Sequence, residues 1–487
     1  MQKVKHREDF LAAFFCLIAL FSFFIVNTTI LRTHTFTLQM IMQVGVLATV
    51  GIAFWIMTAY PECDRTKVIV GMVLTLGAIM RIGYMLYTPA TVRQHDIGDI
   101  SPEGIGHAGY VYWLLEGSLP DSNACQFYHP PLYHLMAAVA VRCYQAISGL
   151  EDFTITVEAA KTVSCCASIL TLLYADKICR YLKLSDGGRL LAISLAAFLP
   201  NHYLLAGRIN NDALAVLFMT AILYYTLRWY HEQSWPTTIK LALCFGLGMM
   251  SKISVGVYAL ITGSMMLIVL ARRIRNQTVQ PLLYQYGVFA AIAFPLGLWY
   301  PIRNYLRFGQ PFSYVLRISE DSDIFCGNFS LWQRFGLASD FSRLYDRPYD
   351  DYNVWGYLWR GSLFGEFSFK VGTVLPLLLL ITNFLLIAAS LAAMIAVLRQ
   401  KQADWIILGL FWAVQLGSYL SFNLQYPFGC TMDFRYIVPT ALIGALFWAK
   451  GWETMSKLGI RGICRKTAPL AVAMFSTLSI VMYCNVR

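Results

Sequence analysis

The sequence predicts an all-α, polytopic membrane protein with about 13 transmembrane helices and with in-plane helices in its first long extracytoplasmic loop. Hydrophobic residues make up 57% of the 487 positions, and charged residues make up only 13%. A water-soluble fold of this size would have to expose much of that apolar material. Apolar runs of about 20 residues recur along the chain, and a helix of that length crosses a bilayer with its backbone hydrogen bonds satisfied internally. Much of the surface of the folded chain is therefore expected to face membrane lipid.

The apolar runs define the predicted spans. The run that begins at Phe10 has no small-residue cleavage pattern after it, so we interpret it as a first span and not as a signal peptide. The predicted spans are Phe10–Ile30, Thr37–Thr58, Lys67–Tyr87, Val157–Tyr181, Arg189–Leu205, Asp212–Tyr230, Ile239–Met250, Ser254–Ala271, Tyr286–Arg303, Val371–Leu398, Asp404–Leu420, Tyr436–Lys450 and Ala468–Tyr483.

The Lys and Arg residues predict the orientation. The net charge of +11 is carried by short clusters between apolar runs, where positive residues anchor cytoplasmic loops, so it does not indicate a nucleic-acid partner. With a cytoplasmic N-terminus, all the clusters fall on one side of the membrane. They are Lys3/Lys5/Arg7, Arg65/Lys67, Lys177/Arg180/Lys183/Arg189, Arg272/Arg273/Arg275, Arg399/Lys401 and Lys457/Arg461/Arg465/Lys466.

This agreement requires that the apolar run Pro131–Ile147 does not cross the membrane. A crossing there would invert all later loops, so we expect the run to lie along the outer leaflet. It then belongs to an extracytoplasmic loop, 88–156, which also contains the amphipathic stretch Ile105–Leu115. A second outer segment, Tyr305–Lys370, is rich in aromatic residues, which favour the membrane interface. Cys125, Cys326 and Cys430 fall in polar segments, and the sequence leaves open whether two of them form a disulfide.

Acidic and histidine residues cluster directly after the third span. The stretch Arg93-Gln94-His95-Asp96 is followed by Asp99, Glu103 and His107. A carboxylate at a helix end beside a cavity is well placed to remove a proton from an acceptor hydroxyl or amine. The alternative is a solvated acidic loop.

Two further motifs lie on the same outer side. His129 precedes two prolines and could bind phosphate, ligate a metal or cap the turn; capping is favoured for a lone histidine. No compact ligand set is present, so no metal site is predicted. The Asn210-Asn211-Asp212 turn holds a carboxylate near the membrane surface, which N-capping of the next helix would also explain.

Three cations occur on the outer side, where they do not serve as topological anchors: Lys252, Arg303 and Arg435. Snorkelling, or for Arg435 a salt bridge with Asp433, would account for them structurally. Charge pairing with an anionic lipid phosphate is the functional interpretation. An outer carboxylate facing outer cations suits a reaction with a deprotonated acceptor and a membrane-held phosphate leaving group.

These residues resemble the polytopic glycosyltransferases of the GT-C class, especially the family that includes protein O-mannosyltransferases and bacterial aminoarabinose transferases. The motifs occur in family order between Lys67 and Lys450. They are His95-Asp96, His129-Pro130-Pro131-Leu132, Arg208-Ile209-Asn210-Asn211-Asp212, Ser251-Lys252, Trp299-Tyr300-x-x-Arg303-Asn304 followed by Phe308-Gly309-x-Pro311, and Arg435-Tyr436.

The resemblance implies inverting transfer of a hexosyl or pentosyl group from a polyprenyl-phosphate donor, with Asp96 as general base. It implies that Lys252 and Arg303 hold the lipid phosphate and that Asp212 supports the acceptor or donor site. The further substrate-binding or phosphate-binding candidates are His95, His129, Asn304, Arg435 and Tyr436. Many relatives carry Asp-Glu where this chain has His95-Asp96, and the hairpin within 10–58 precedes the usual first span of the family.

The resulting expectation is a cell-envelope enzyme with four parts: an N-terminal transmembrane hairpin (1–66), a GT-C-like catalytic membrane core (67–304), an extracytoplasmic segment (305–370) and C-terminal transmembrane helices (371–487). Its partners are a polyprenyl-phosphate-linked sugar, a protein, lipid or glycan acceptor, and membrane lipids. The expected location is the bacterial cytoplasmic membrane with an outward-facing active site. No cofactor is assigned, and the use of a divalent cation stays open. A transporter or flippase of a lipid-linked sugar, and a polysaccharide polymerase or ligase, are the alternatives.

Overall fold

The computed structural model describes residues 2–101, 103–275, 279–312, 314–316, 318–337, 345, 352–367, 369, 371–457 and 461–486. Within these ranges the regular secondary structure is helical, and β pairing is limited to one bridge between Phe325 and Phe428. The all-α prediction is confirmed.

The helices of the N-terminal half are α1 (Gln2–Asn27), α2 (Thr35–Ala59), α3 (Arg65–Tyr87), α4 (His107–Leu115), α5 (Leu132–Ser148), α6 (Phe153–Thr156), α7 (Lys161–Tyr181), α8 (Asp186–Phe198), α9 (Pro200–Ala206) and α10 (Asp212–Glu232). Those of the C-terminal half are α11 (Trp235–Ser251), α12 (Ala259–Arg275), α13 (Gln280–Phe308), α14 (Leu331–Phe335), α15 (Val354–Phe364), α16 (Val374–Leu398), α17 (Ala403–Gln425), α18 (Val438–Lys457) and α19 (Arg461–Tyr483).

Ten helical segments in the described part of the chain are long and apolar enough to cross a membrane. The count is eleven if α8 and α9, which meet at a 49° bend, form one span. The two remaining predicted spans coincide with α11 and α18. The chain is therefore an integral, polytopic membrane protein, and the count of about 13 spans is compatible with the structure without being confirmed by it.

A buried arginine joins three helices of the bundle. Arg81 of α3 is fully buried and donates hydrogen bonds to the Ala196 and Ala197 carbonyls of α8, at 3.2 and 2.9 Å, and to the Ser168 hydroxyl of α7, at 2.9 Å. Ionisable groups at membrane depth are stable only when paired in this way. Helices α8 and α9 meet at a bend because Pro200 starts a new helix there.

The charged groups separate to the two ends of the bundle. At one end the Tyr230 hydroxyl accepts a hydrogen bond from Arg272 at 2.9 Å, and His231 lies 2.7 Å from Asp404. Asp96, Asp212 and Arg435 meet at the opposite end. This separation agrees with the charge pattern of the sequence, although the side chains of residues 3, 5, 7, 457, 461 and 465 lie outside the described part.

The first long loop contains the two expected helices, α4 and α5. Helix α5 packs one face on the chain and turns an apolar face outward, because Leu135, Met136, Val139 and Ile147 are exposed. An exposed apolar face suits a helix in the membrane interface, and the in-plane position stays a prediction. Cys125 and Cys430 carry free thiols, so no disulfide joins any two of the three cysteines considered above.

Candidate active site

A cavity of about 460 Å³ opens at the end of the bundle where Asp96, Asp212 and Arg435 meet. Most of the predicted site residues line it, although they come from five distant stretches of sequence. They are Asp96, His129, Asp212, Lys252, Arg435 and Tyr436. One wall is apolar and is formed by Ile253, Val257, Val315, Leu316, Ile318 and Phe422.

Asp96 is held in an uncommon backbone conformation. Its φ angle is 53°, in the left-handed region that non-glycine residues seldom adopt. The first N–H group of α4, from His107, donates to the Asp96 carbonyl at 3.0 Å. This close return of the chain requires Gly106, where a Cβ would lie 2.2 Å from the Ile97 carbonyl carbon. The backbone conformation held by these contacts therefore sets the direction in which the Asp96 side chain points.

Gln94 fastens the same loop to the turn before α10. Its side-chain amide donates to the Gly207 carbonyl at 2.9 Å and accepts from the Ile209 N–H at 2.8 Å. A single side chain thus satisfies two backbone groups of the turn that leads to Asp212. Asp96 and Asp212 are placed relative to each other by these two hydrogen bonds.

Arg435 joins three carboxylates. Its guanidinium lies 3.2 Å from Asp96, 3.7 Å from Asp212 and 3.9 Å from Asp433. Asp96 is the accessible member, with 43% of its side chain exposed against 4% for Asp212 and none for Asp433. Burial alone would raise the pKa of Asp96, but Arg435 and the nearby His107 and His95 outweigh it and lower the pKa. Asp96 is therefore an ionised carboxylate facing the cavity.

Lys252 lines the same cavity as Asp96 and pairs with Asp212. It follows Ser251, whose carbonyl accepts a hydrogen bond from the Asn211 side chain at 2.9 Å. The Tyr436 ring packs between the two cations, since the Lys252 ammonium and the Arg435 guanidinium each lie 5.0 Å from its centroid. The predicted carboxylate and two of the predicted cations are therefore brought together.

Three buried histidines form a stack behind this group. His107 Nδ1 lies 2.8 Å from His134 Nε2, and the rings of His107 and His129 are parallel at 5.8 Å. Burial is the main cause that lowers the pKa of His107 to about 4, and it also lowers the pKa values of His129 and His134. All three are therefore neutral near pH 7. His134 was not considered as a site residue, because a single histidine on a helix has no sequence signature.

A second cluster lies beside Asp96. His95 contacts Glu366 through Nδ1 and lies 3.1 Å from Asp433 through Nε2, and all three side chains are buried. In the sequence, Asp433 stands out only as a possible salt-bridge partner of Arg435. No motif marks Glu366, which occurs alone in an aromatic segment.

Three predicted residues lie away from the cavity lining: His95, which belongs to the second cluster, and Arg303 and Asn304. Arg303 donates to the Pro120 carbonyl at 2.7 Å and stacks on Tyr300, at 5.2 Å from the ring centroid. The Asn304 amide donates to the Tyr128 carbonyl at 3.4 Å. These contacts attach α13 to the first long loop, so both residues have a structural role there.

Residues 129–299 match the family model described as dolichyl-phosphate-mannose-protein mannosyltransferase, a GT-C type glycosyltransferase family. The match spans about a third of the chain, and this segment is similar to a GT-C type glycosyltransferase family. The match contains the GT-C motifs at His129, Asp212 and Lys252, whereas Asp96 and Arg435 lie outside it. It confirms the resemblance inferred from the motifs and indicates a lipid-linked sugar donor and an acceptor in general terms. No curated protein matches the chain in sequence.

Proposed function

We propose that this GT-C type protein transfers a sugar, with inversion, from a polyprenyl-phosphate donor to an extracytoplasmic acceptor, with Asp96 as general base. The observation that carries the proposal is the half-exposed Asp96 carboxylate in a cavity that also holds Arg435 and Lys252. A base and a cationic leaving-group site in one cavity are the two requirements of such a transfer.

Asp96 accepts the proton of an acceptor hydroxyl or amine as that atom attacks the anomeric carbon of the sugar. The bond between the anomeric carbon and the phosphate oxygen breaks, and its electron pair leaves with the polyprenyl phosphate. Because attack and departure occur on opposite faces of the sugar, the configuration at that carbon inverts. Asp212 and Asp433 are poor candidates for the base, since their side chains are almost completely buried.

Lys252 and Arg435 stabilise the negative charge that develops on the departing phosphate. Both are already paired with carboxylates, so a bound phosphate would share them with Asp212 and Asp96. Charge-assisted hydrogen bonds of this kind strengthen in a cavity from which water is excluded. The apolar wall at Val257, Leu316 and Phe422 supplies the chemistry expected next to the lipid chain of the donor.

We further propose that the cavity faces outward from a bacterial cytoplasmic membrane, with the N-terminus inside. The support is the separation of Arg272 and Arg273, at one end of α12, from the cavity at the other end. Positive residues at helix ends favour the cytoplasmic side. The apolar exposed face of α5 would then rest on the outer leaflet.

The experiment is a donor assay on the purified protein in nanodiscs. Release of polyprenyl phosphate is measured from a panel of polyprenyl-phosphate sugars, with wild type, Asp96→Asn and the control Asp99→Asn, which changes an exposed carboxylate of the same loop. We expect release that falls at least 100-fold in Asp96→Asn and is unchanged in Asp99→Asn. If no donor is consumed while both forms bind the lipid-linked sugar equally, the flippase alternative takes precedence.

A further inference from the structure

We propose that His95, Glu366 and Asp433 bind a divalent transition-metal ion directly beside Asp96. The inference is independent of the donor proposed above, because it concerns only these three side chains and the segments that carry them. Their ligand atoms, one from each residue, all lie within 4.8 Å of one another, and all three side chains are buried. Within the described part of the chain, no other group of His, Cys, Asp and Glu side chains has this arrangement.

Two buried carboxylates that share one site repel each other unless a cation lies between them. Two cations lie nearby, but neither donates a side-chain hydrogen bond to these carboxylates: the nearest side-chain nitrogen of Arg435 is 3.9 Å from the Asp433 oxygen that faces His95, and the buried Arg208 guanidinium, which also faces Asp433, makes no hydrogen bond. His95 Nε2 lies 3.1 Å from Asp433 Oδ2, and both atoms are buried. A ring nitrogen and a carboxylate oxygen at this separation are close enough to bind one ion together.

Two of the three ligands, Glu366 and Asp433, are held by contacts of their own. The backbone on both sides of Glu366 is fixed by Arg360, which donates to the Gly365 carbonyl at 2.5 Å and to the Phe367 carbonyl at 2.8 Å. Asp433 uses Oδ1 to accept from the Arg435 backbone N–H at 2.9 Å, which leaves Oδ2 directed at His95. Ligands fixed before binding are the mark of a preorganised metal site.

The ligand set indicates the class of metal. One imidazole nitrogen and two carboxylates form a mixed nitrogen and oxygen set, which suits Zn²⁺ or Mn²⁺ better than Ca²⁺ or Mg²⁺. A histidine ligand binds through one ring nitrogen and donates through the other. Glu366 can accept that hydrogen bond with one oxygen and offer its second oxygen to the ion.

The ion would connect three segments around Asp96. His95 is its chain neighbour, Asp433 fixes the backbone of Arg435, and Glu366 follows α15. The metal acts here as a positioning element, and it does not need to touch the substrate. Its loss would release the loop in which Asp96 holds a strained backbone conformation.

The test is direct measurement of metal on the full chain, purified without a histidine tag. The protein is loaded with Zn²⁺, passed over a chelating resin and analysed by plasma mass spectrometry and by zinc K-edge X-ray absorption. We expect about one tightly held zinc per chain, with one imidazole and oxygen ligands. No retained zinc, or sulfur in the first coordination shell, overturns the proposal, because sulfur would place the ion on one of the cysteines.

Variants then identify the ligands. Glu366→Gln and Asp433→Asn should each lower the retained zinc at least 10-fold, and the control Asp99→Asn should retain it. Zinc content that is unchanged in both ligand variants contradicts the proposal. Zinc should also raise the unfolding temperature of wild type, an effect absent from the two variants. None of these measurements uses a sugar donor, so they remain informative if the donor assay fails.

Discussion

Arg435 donates a hydrogen bond to Asp96 at 3.2 Å, although the two residues are 339 positions apart in the chain. The same guanidinium also reaches Asp212 and the neighbouring Asp433. One side chain therefore fixes the accessible carboxylate of the cavity and two buried ones. Its planar, multi-donor shape is required for that role.

Replacement of Arg435 by Lys should lower kcat/KM at least 100-fold, equivalent to about 3 kcal/mol of lost transition-state stabilisation. A lysine ammonium can approach one of the three carboxylates but cannot bridge them. Steady-state donor turnover measures the effect. Arg307→Lys is the matched control, because Arg307 pairs with Asp121 at an exposed site, and its kcat/KM should stay within 2-fold of wild type. Equal losses in the two variants would contradict the role assigned to Arg435.

The Lys252–Asp212 pair should show strong energetic coupling. Lys252→Gln alone leaves the Asp212 carboxylate buried without its closest cation, so we expect a loss of about 2 kcal/mol in stability and weaker donor binding. Adding Asp212→Asn should restore most of the stability, because the unpaired charge is gone, while donor binding stays weak. Thermal unfolding and donor titration separate these two effects. Strictly additive losses in stability would show that the pair does not interact.

Gln94→Ala should impair the site without removing a charge. It deletes the hydrogen bonds to Gly207 and Ile209, for a cost of about 1–3 kcal/mol. We expect kcat to fall more than donor affinity, since the Asp96 loop loses its attachment while the cations remain. Gln94→Glu is the informative companion, because it keeps the acceptor for Ile209 but places a carboxylate oxygen against the Gly207 carbonyl and adds a negative charge. It should therefore be at least as impaired as Gln94→Ala, and a clearly milder effect would contradict this interpretation.

The buried histidines predict acid sensitivity. His107 has a pKa of about 4 in the folded chain and an ordinary value of 6.5, so the unfolded chain binds a proton more readily. The contribution of His107 to the free energy of unfolding is fully present above pH 6.5. It is lost as the pH falls from 6.5 towards 4, by up to about 3 kcal/mol. The negative charges of Asp96 and Asp212 raise the pKa of His107, whereas the positive charges of Arg435 and Lys252 lower it further. Thermal unfolding across this range should show a shallower slope for His107→Asn; an unchanged slope would contradict the assignment.

The proposed orientation predicts which side of the membrane the first long loop faces. Cys143 lies on the apolar face of α5, which is expected to rest in lipid, so the test uses Ser118→Cys, an exposed position of the same loop, in a Cys143→Ser background. A membrane-impermeant thiol reagent should label the peptide that contains position 118 in intact spheroplasts, as read by mass spectrometry, and Cys143→Ser alone should lack that signal. Labelling that appears only after the membrane is disrupted would place the loop on the cytoplasmic side and reverse the topology.

The lipid-facing architecture was predictable because it follows from local composition. Every predicted span is helical, since an apolar run of sufficient length has no other stable form in lipid. The boundaries were less accurate: the span expected at Ile239–Met250 is the longer α11, Trp235–Ser251. Helix ends depend on capping and packing contacts, which hydropathy does not record.

The candidate site was predictable only in part. Asp96, Asp212, Lys252 and Arg435 stood out because a charge at the outer membrane surface needs a reason. Glu366 did not, because its partners His95 and Asp433 are brought to it by long-range packing alone. Arg303 met the same charge criterion, yet it bonds a loop carbonyl outside the cavity. Sequence identifies such groups, and packing decides which of them meet.

The distribution of the cavity residues along the chain has a consequence for biosynthesis. A nascent chain inserted through α16 already contains Asp96, Asp212 and Lys252, but not Arg435 or Asp433. Its acidic groups then lack the cation that draws them together. The proposed active site of a growing chain therefore stays unassembled until α17 has entered the bilayer and Arg435 has followed it, so we expect a truncated translation product to be inert towards lipid-linked sugars.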